Sequence, residues 1–361
     1  MGQINVTWWN LQNFFDTDDD PISRDFEYTA AHGWTEEVFA AKKRNLAEAL
    51  RATHGGAGPD LLAVAEIEKD ELLAALVAEI GNPALTVAED PAGTQDLRGI
   101  DVALAYDRRK LALTARRSHT VHLRYATRDI FEAVFEVRET GETLVVIAGH
   151  WPSRRLGRYE SEPLRIAVAE NIAHLVQAHV KLGAREYEAL RDRDDLQPVL
   201  ERWEAKVLVL GDFNDEPADR SVVDHLNAAR DLTRVIGVLN GIDRFDRETA
   251  DYRARPVFLY NPMWRFLPQP DTGSYYLAAL RSGVKIPNRY QVLDQLVASR
   301  GLVSGAGLHL DLDSVAIFQD PLVATPSRRP RPFDKRTRKG TSDHLPITAV
   351  LRYNPPLRRP G

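Results

Sequence analysis

Apolar runs without alternating polar residues are the feature of this sequence that most restricts its fold. Leu61 to Ala65 and Val207 to Leu210 contain no polar side chain. A β-strand that is apolar at every position must be covered on both faces, as in α/β proteins. Runs rich in β-branched and apolar residues predict strands over residues 4–9, 61–67, 101–106, 131–137, 144–148, 207–210, 291–299 and 347–353.

Helical patterns lie between these runs. Residues 37–51, 70–80 and 164–181 repeat apolar side chains with the period of an amphipathic helix. The strand spacing is too irregular for eight repeated βα units, and no internal repeat is present. We therefore predict an α/β sandwich in which helices cover two β-sheets.

The composition limits the binding chemistry. The chain has 361 residues, of which 43% are hydrophobic and 27% charged, which is enough for a large core. It has no cysteine, so disulfides and thiolate metal sites are excluded and the available ligands suit hard cations. The net charge of −5 means that nucleic-acid binding would require a local basic patch.

The termini and apolar runs predict the location of the protein. The N-terminal residues lack a basic region followed by an apolar core, and no apolar run approaches the length of a membrane span. We expect a cytoplasmic protein without a membrane span. The sequence does not determine the oligomeric state, for which a monomer is the simplest expectation.

Two segments are unusually charged. Residues 184–206 are typical of an exposed helical insertion. Residues 327–340, called the basic loop here, contain seven basic residues from Arg328 to Lys339 against the single acid Asp334. Such a run is often a disordered, solubilising loop. Its position directly before Ser342-Asp343-His344 favours the alternative that it contacts a polyanionic substrate.

Polar side chains stand at the ends of five predicted elements. A single Asp or Asn after a strand is more often a turn or cap residue. In α/β sheets, however, ligand sites gather at strand ends, so these groups are expected to converge on one cleft. The residues are Asn10, Glu66, His150, Asp212, Asn214, Asp343 and His344.

The combination of side chains at these ends predicts phosphoester hydrolysis. Carboxylates without a basic partner repel one another unless a cation lies among them. Mg²⁺ suits oxygen ligands and commonly bridges carboxylates to a phosphate, and Mn²⁺ fits the same ligands. Histidines add hydrogen-bond donors for a developing oxyanion.

The ordered set of motifs resembles the endonuclease/exonuclease/phosphatase superfamily, whose fold is DNase-I-like. The resemblance covers nearly the whole chain and implies a four-layer α/β sandwich over residues 1–354, with two mixed sheets face to face, helices outside, and a tail at 355–361. The matching motifs are Asn10, Glu66, Arg98-Gly99-Ile100-Asp101-Val102, Gly149-His150, Gly211-Asp212-Phe213-Asn214, Leu293-Asp294 and Ser342-Asp343-His344.

The resemblance implies a metal site and a water-activating group. Glu66 is expected to be the principal metal-binding carboxylate, with Asp343 and Asn10 completing or supporting the site. Asp212 is expected to orient or deprotonate the attacking water, and Asn214 to position water or a phosphate oxygen. The implied chemistry is in-line attack of water on phosphorus.

The resemblance also assigns roles to two histidines. His344 is expected to hydrogen-bond the scissile phosphate, with Asp294 fixing its ring and favouring its protonated form. His150 is expected to be a second donor to the same phosphate, and Asp101 to orient it. Both aspartates also fit solvent-facing positions of a strand.

Several arginines are candidate substrate contacts, since guanidinium groups suit phosphate oxygens, although each also fits a surface salt bridge. Trp151 is a candidate for stacking on a base. The arginines are Arg98, Arg154, Arg328, Arg329, Arg331, Arg336 and Arg338.

These features predict a Mg²⁺-dependent phosphodiesterase acting on nucleic acid, as a DNase-like endonuclease. The segment around His150, AGHWPSR, differs from the Asn-Thr-His-Leu element of many related nucleases, which leaves the substrate open. The alternatives are an enzyme acting on a smaller phosphoester, such as a nucleotide, sugar phosphate or lipid headgroup, and a non-catalytic binding module.

Overall fold

Two large β-sheets lie face to face in the computed structural model, which describes residues 1–20, 24–89, 98–123, 127–237, 240–278 and 288–354. The first sheet has the strand order β14 (His309–Ile317), β15 (Ile347–Tyr353), β1 (Gly2–Phe14), β2 (Leu61–Ile67), β4 (Asp101–Asp107) and β3 (Leu85–Val87). The predicted tail at 355–361 lies outside the described residues.

The second sheet contains seven strands among the described residues. Its order is β5 (Leu111–His119), β6 (Ile130–Val137), β7 (Thr143–His150), β8 (Lys206–Asp212), β13 (Asp294–Ala298), β10 (Leu259–Tyr260) and β9 (Ala228–Ala229). A separate pair is formed by β11 (Tyr275–Tyr276) and β12 (Tyr290–Gln291).

Both sheets are mixed. The pairs β1 with β2 and β7 with β8 are parallel, whereas β1 with β15 and β8 with β13 are antiparallel. Parallel neighbours end at the same edge of a sheet, so this topology brings the C-terminal residues of β7 and β8 together.

Helices cover the outer sides of the sheets. Two pack together against the first sheet, α1 (Glu36–Ala52) and α2 (Asp70–Ile80). The second sheet is covered by α3 (Glu162–Val180), α4 (Ala184–Arg191) and α5 (Gln197–Trp203). The remaining helices are α6 (Leu232–Ile236), α7 (Thr249–Ala254) and α8 (Arg300–Val303). None of the described helices combines the length and apolar character that a membrane crossing requires.

Alternation along the second sheet explains its continuous apolar runs. Val146 and Leu208 belong to the core that contains side chains of both sheets. Their neighbours Val145 and Val207 belong to the core under the helices that follow β7. Since successive side chains point to opposite faces, both faces of these strands need apolar residues. The predicted sandwich of two mixed sheets with outer helices is confirmed.

The structure differs from the sequence predictions in several strands, of which β3, β5 and β14 are the longest, and in one insertion. β3, β5 and β14 were not predicted, because they are short or carry exposed side chains and lack a continuous apolar run. Residues 184–206 do form helices, but they are not simply exposed. Tyr187 is buried and stacks on Tyr252 with 3.9 Å between ring centroids, and Trp203 is also buried.

Candidate active site

Strand register brings the predicted polar residues into one cluster. In the second sheet His150 lies beside Asp212 across the parallel pair, and Asp294 lies beside Asp212 across the antiparallel pair. Asn10 and Glu66 come from β1 and β2 of the facing sheet. The site therefore forms where the two sheets meet, at the strand ends that carry these side chains.

The carboxylate of Asp212 lies at the centre of the cluster. Its Oδ2 atom is 3.1 Å from Nδ2 of Asn10, 3.6 Å from Nε2 of His150 and 3.9 Å from Nε2 of His344. Its Oδ1 atom accepts a 2.9 Å hydrogen bond from the backbone N–H of Asn214. These contacts hold Asp212 in place and bring two imidazole rings within reach of one carboxylate oxygen.

Asp212 is poised to exchange a proton near neutral pH. Burial raises its pKa to about 7, and the negative charges of Asp294 and Glu66 add to the rise against the opposing charge of His344. A base with a pKa near the working pH is well matched to proton transfer from water. A bound cation would lower this pKa and favour the ionised carboxylate.

His344 is held as an imidazolium. Its Nδ1 lies 2.6 Å from Oδ2 of Asp294, whose other oxygen accepts a 2.8 Å hydrogen bond from the indole of Trp8. Burial lowers the pKa of His344, but the carboxylates of Asp294 and Asp212 outweigh it and raise the pKa well above its usual value. Asp294 is fully buried, so the alternative of a solvent-facing position is wrong.

The surroundings of His150 favour its neutral form instead. Burial lowers its pKa well below the usual value, and the nearby charge of Arg128 adds to this. Its Nε2 lies 3.9 Å from Oε1 of Glu66, and its Nδ1 has no hydrogen-bond partner among the described residues. Asp101 is buried but does not bond this nitrogen, so the prediction that it orients His150 is not supported.

The predicted metal ligands form an oxygen-rich group beside Asp212. Oε2 of Glu66 accepts a 2.9 Å hydrogen bond from the N–H of Asn13, and Oδ1 of Asn10 accepts a 3.0 Å bond from the N–H of Gln12. Burial raises the pKa of Asp343, and the negative charge of Glu66 adds to the rise. Crowded carboxylates of this kind fit a hard divalent cation, which would relieve their repulsion.

A second set of possible ligands fits a metal less well. Asp212, Asp294 and His344 each offer an atom within 4.8 Å of the others. Both oxygens of Asp294 already accept hydrogen bonds. A protonated imidazole has no lone pair for a metal. Glu66 and Asp343 are therefore the better candidates.

The residues around Asn214 are packed. Its side-chain N–H donates a 2.9 Å hydrogen bond to the carbonyl of Trp151, which leaves one further N–H and the amide oxygen. The indole of Trp151 is fully buried and stacks on Phe213 with 4.3 Å between ring centroids. The prediction that Trp151 stacks on a substrate base is therefore wrong.

Two predicted arginine contacts have different surroundings. Arg154 lies 2.8 Å from Asp215 and 2.5 Å from Asp219, with only 14% of its side chain exposed. The structure does not support a substrate contact by Arg154, because these carboxylates occupy its guanidinium. Arg98 instead donates a 2.5 Å hydrogen bond to the side-chain oxygen of Asn13, which places it beside Glu66.

The basic loop is folded against the site. The N–H of Phe333 donates a 2.8 Å hydrogen bond to the side-chain oxygen of Gln12, and a β-bridge joins Asp334 to Lys339. The disordered alternative is therefore wrong for this loop. All five predicted arginine contacts are exposed residues: Arg328, Arg329, Arg331, Arg336 and Arg338.

Three of the loop arginines also contact the protein. Arg331 donates to the carbonyl of Ala324 at 2.8 Å, and Arg338 lies 2.7 Å from Glu37. The guanidinium of Arg329 lies 4.4 Å from the ring centre of Tyr276. These contacts limit how far the three side chains can turn toward a ligand.

Sequence reasoning missed two residues near the cluster. Lys42 is buried, and its place on the apolar face of α1, four residues from both Val38 and Leu46, was a signal that could have identified it. Tyr275 packs its ring 4.9 Å from that of His344. Nothing in the sequence distinguishes Tyr275 from the other aromatic residues of its segment.

Comparison with known proteins identifies the family. A model of the endonuclease/exonuclease/phosphatase family matches residues 5–269. The chain belongs to this family. Its members are metal-dependent phosphoester hydrolases, so the prediction of such an enzyme is confirmed. A search of curated proteins found no match.

Solved structures of this family share the fold at low sequence identity. A mannosyl-6-phosphatase of Bacteroides thetaiotaomicron is 12% identical, with a TM-score of 0.51 over 97% of this chain and 100% of its own. A family member from Bacteroides vulgatus is 13% identical, with a TM-score of 0.51 over 98% and 100%. TDP2 of D. rerio, complexed with a single-strand DNA product, is 12% identical, with a TM-score of 0.50 over 98% and 100%. The DNase-I-like fold is confirmed.

Proposed function

We propose that the chain is a divalent-metal-dependent phosphodiesterase that hydrolyses nucleic acid, as a DNase-like endonuclease. The observation that carries this proposal is the attachment of the basic loop to Gln12, two residues from Asn10. Exposed cations beside a phosphoester-cleaving site can contact phosphates on both sides of the scissile bond. The shared fold of TDP2, solved with a DNA product, is consistent with such a substrate.

The proposed metal is Mg²⁺, which Mn²⁺ can replace, held by Glu66 and Asp343 with Asn10 completing or supporting the site. Both ions accept carboxylate and amide oxygens. When bound, the cation would polarise the scissile phosphate and neutralise developing charge. The crowding of buried carboxylates supports this assignment.

The proposed reaction uses the charge states of the site residues. Ionised Asp212, held by Asn10, takes a proton from the attacking water, and the remaining polar groups of Asn214 orient that water. As the new P–O bond forms, the ester P–O bond opposite to it breaks, and the departing oxygen takes up a proton from water. His344 donates a charge-assisted hydrogen bond from Nε2 to a phosphate oxygen, and neutral His150 donates a second one.

A substrate panel tests this proposal. Supercoiled plasmid, single-stranded oligonucleotide and small phosphoesters are compared with Mg²⁺, with Mn²⁺ and with EDTA, for the wild type and His344→Ala. We expect metal-dependent nicking of plasmid that the variant loses. Turnover confined to small phosphoesters would agree with a hydrolase but would refute nucleic acid as its substrate.

The role of the basic loop has its own test. Replacing Arg328, Arg329 and Arg336 together with Gln should weaken DNA binding and reduce the slope of log K against log salt by up to about 3. The matched control replaces three exposed arginines elsewhere, Arg108, Arg185 and Arg193, with Gln. Equal salt slopes for the two triple variants would show that the basic loop does not contribute to DNA binding.

A small phosphoester is the second candidate substrate. Arg331 and Arg338 are partly engaged by the protein, which leaves fewer loop cations for a polymer. The shared fold of a mannosyl-6-phosphatase is consistent with a sugar phosphate. Turnover of a nucleotide, sugar phosphate or lipid headgroup without DNA cleavage would favour it. The cytoplasmic location and monomeric state stay predictions.

A further inference from the structure

A bulge with left-handed backbone lies beside the predicted metal ligands. The ladder between β1 and β2 shifts register after Asn10, and three residues of β1 lie opposite Glu66. Within the bulge Gln12 and Asn13 have φ angles of 55° and 56°, and Glu66 itself has 58°. Gln and Glu rarely adopt this conformation, so surrounding contacts must fix it. Bulges of this kind commonly redirect side chains next to active sites.

The bulge orients two predicted metal ligands through its backbone. The N–H of Gln12 bonds the side-chain oxygen of Asn10 at 3.0 Å, and the N–H of Asn13 bonds a carboxylate oxygen of Glu66 at 2.9 Å. A shift of either peptide plane would turn a ligand oxygen away from the cluster. The geometry of the metal site therefore depends on the conformation of these two residues.

Lys42 holds the backbone carbonyl groups of the same two residues. Its Nζ donates to the carbonyl oxygens of Gln12 and Asn13, the latter at 3.3 Å. Only 1% of the Lys42 surface is exposed. One ammonium group thus holds the carbonyl groups of both left-handed residues. The N–H groups of the same two residues bond the side chains of the predicted metal ligands.

The surroundings of Lys42 are apolar and partly supplied by the basic loop. Its Nζ lies 5.6 Å from the ring centre of Trp34 and 5.5 Å from that of Phe333. Burial lowers the pKa of Lys42 to about 7, against the opposing charges of Glu66 and Asp343. Burying an ammonium group is costly, so the hydrogen bonds to both carbonyls are needed to keep it there.

We propose that Lys42 is a positioning residue for the metal site, which fixes the left-handed bulge and thereby holds Asn10 and Glu66 in ligating orientation. The proposal rests on the proposed function only through the metal that these two residues would bind. It requires no contact between Lys42 and substrate. Residues that orient metal ligands typically change metal affinity about 10- to 100-fold when they are removed.

Lys181 offers a matched control. Its Nζ donates to the backbone carbonyls of Arg253 and Arg255, at 2.7 and 2.5 Å. Burial lowers its pKa to about 8. It therefore resembles Lys42 in donating to two backbone carbonyls, although it is less buried, and it follows α3 and bonds none of the cluster residues in these contacts.

The experiment compares Lys42→Met with Lys181→Met by two measurements. Calorimetric titration with Mn²⁺ gives metal affinity without substrate, and urea unfolding in EDTA gives the stability of the metal-free protein. We expect both variants to lose stability, but only Lys42→Met to bind Mn²⁺ about 10- to 100-fold more weakly. A folded Lys42→Met protein with wild-type Mn²⁺ affinity would overturn the proposal.

A second variant covers the case in which Lys42→Met does not fold. Lys42→Gln keeps a shorter, neutral donor that reaches at most one carbonyl, and we expect an intermediate loss of Mn²⁺ affinity. Unchanged affinity in this variant would equally refute the role of Lys42. Failure of the nucleic-acid proposal would show in the substrate panel alone, because the Mn²⁺ titration involves no substrate.

Discussion

His344 and Asp294 form a buried pair in which Nδ1 of the histidine lies 2.6 Å from Oδ2 of the aspartate. The bond fixes the ring so that Nε2 lies 3.9 Å from Asp212, where a phosphate oxygen would approach. The same contact raises the pKa of His344 against the effect of burial. The orientation of the imidazole therefore depends on Asp294, which together with Asp212 also favours its charged form.

Replacing Asp294 with Asn should remove the charge but keep the shape. We expect the pKa of His344 to fall and kcat to decrease by about 100- to 10,000-fold, because a neutral imidazole is a weaker donor to phosphate. Activity on a phosphodiester and the NMR titration of His344 measure the two effects. Asp311→Asn, which breaks a 2.7 Å pair with Arg352, is the control. An unchanged kcat in Asp294→Asn would contradict this role.

Glu66→Gln should separate stability from metal binding. Without metal, the charge of Glu66 raises the pKa of partly buried Asp343, so the variant should be at least as stable as the wild type in EDTA. With Mg²⁺ or Mn²⁺, the wild type should gain stability with the logarithm of the metal concentration, and the variant should gain little. Thermal unfolding with and without metal measures both. An equal metal-induced shift in the two proteins would exclude Glu66 as the main ligand.

The sequence predicted the sheets and the residues of the cluster for one reason. Continuous apolar runs identify strands covered on both faces, and the polar side chains at their ends must then meet at a sheet edge. His150, Asp212 and Asp294 lie together because strand register places them side by side. Strands with exposed faces, such as β5, lack this signal.

Charge states and partners were harder to predict. The resemblance implied the protonated form of His344, whereas nothing in the motif of His150 indicated that burial would lower its pKa. Lys42 contacts residues about 30 positions earlier in the chain, and Arg154 is paired with aspartates about 60 positions later. Such contacts depend on tertiary packing, which local sequence does not specify.

His54 should make stability depend on pH between about 4 and 6.5. Burial lowers its pKa to about 4, and its Nε2 lies 3.0 Å from the hydroxyl of Thr7. The unfolded chain therefore binds the proton more readily, and stability falls as pH decreases through this range. His54→Asn stays neutral and tolerates the φ of 53°. On going from pH 7 to pH 4.5, the wild type should lose about 2 kcal/mol more than the variant in urea unfolding.

The control for this prediction is His122→Asn, since His122 is exposed. This variant should keep the wild-type dependence on pH. If wild type and His54→Asn lose the same stability on acidification, then His54 does not titrate abnormally in the folded protein.

Arg155, rather than the predicted Arg154, should contact the substrate. It is an exposed residue that directly follows Arg154. Burial raises the pKa of Tyr28 to about 12 and also raises that of Tyr275, and in both cases the charge of Arg155 opposes the rise. Its guanidinium therefore lies within electrostatic reach of two tyrosines from separate segments, one of which packs on His344.

Arg155→Ala should raise KM about 10-fold with little change in kcat, because a charge-assisted hydrogen bond to a phosphate away from the reacting atoms contributes to binding. Steady-state kinetics on the best substrate measure both constants. Arg108→Ala is the control. It removes one exposed charge at the turn between β4 and β5, at the end of β4 that lies away from Asp101. This variant should leave KM unchanged. If the two variants have equal KM values, Arg155 does not bind the substrate, and the cations that do must lie in the basic loop or at Arg98.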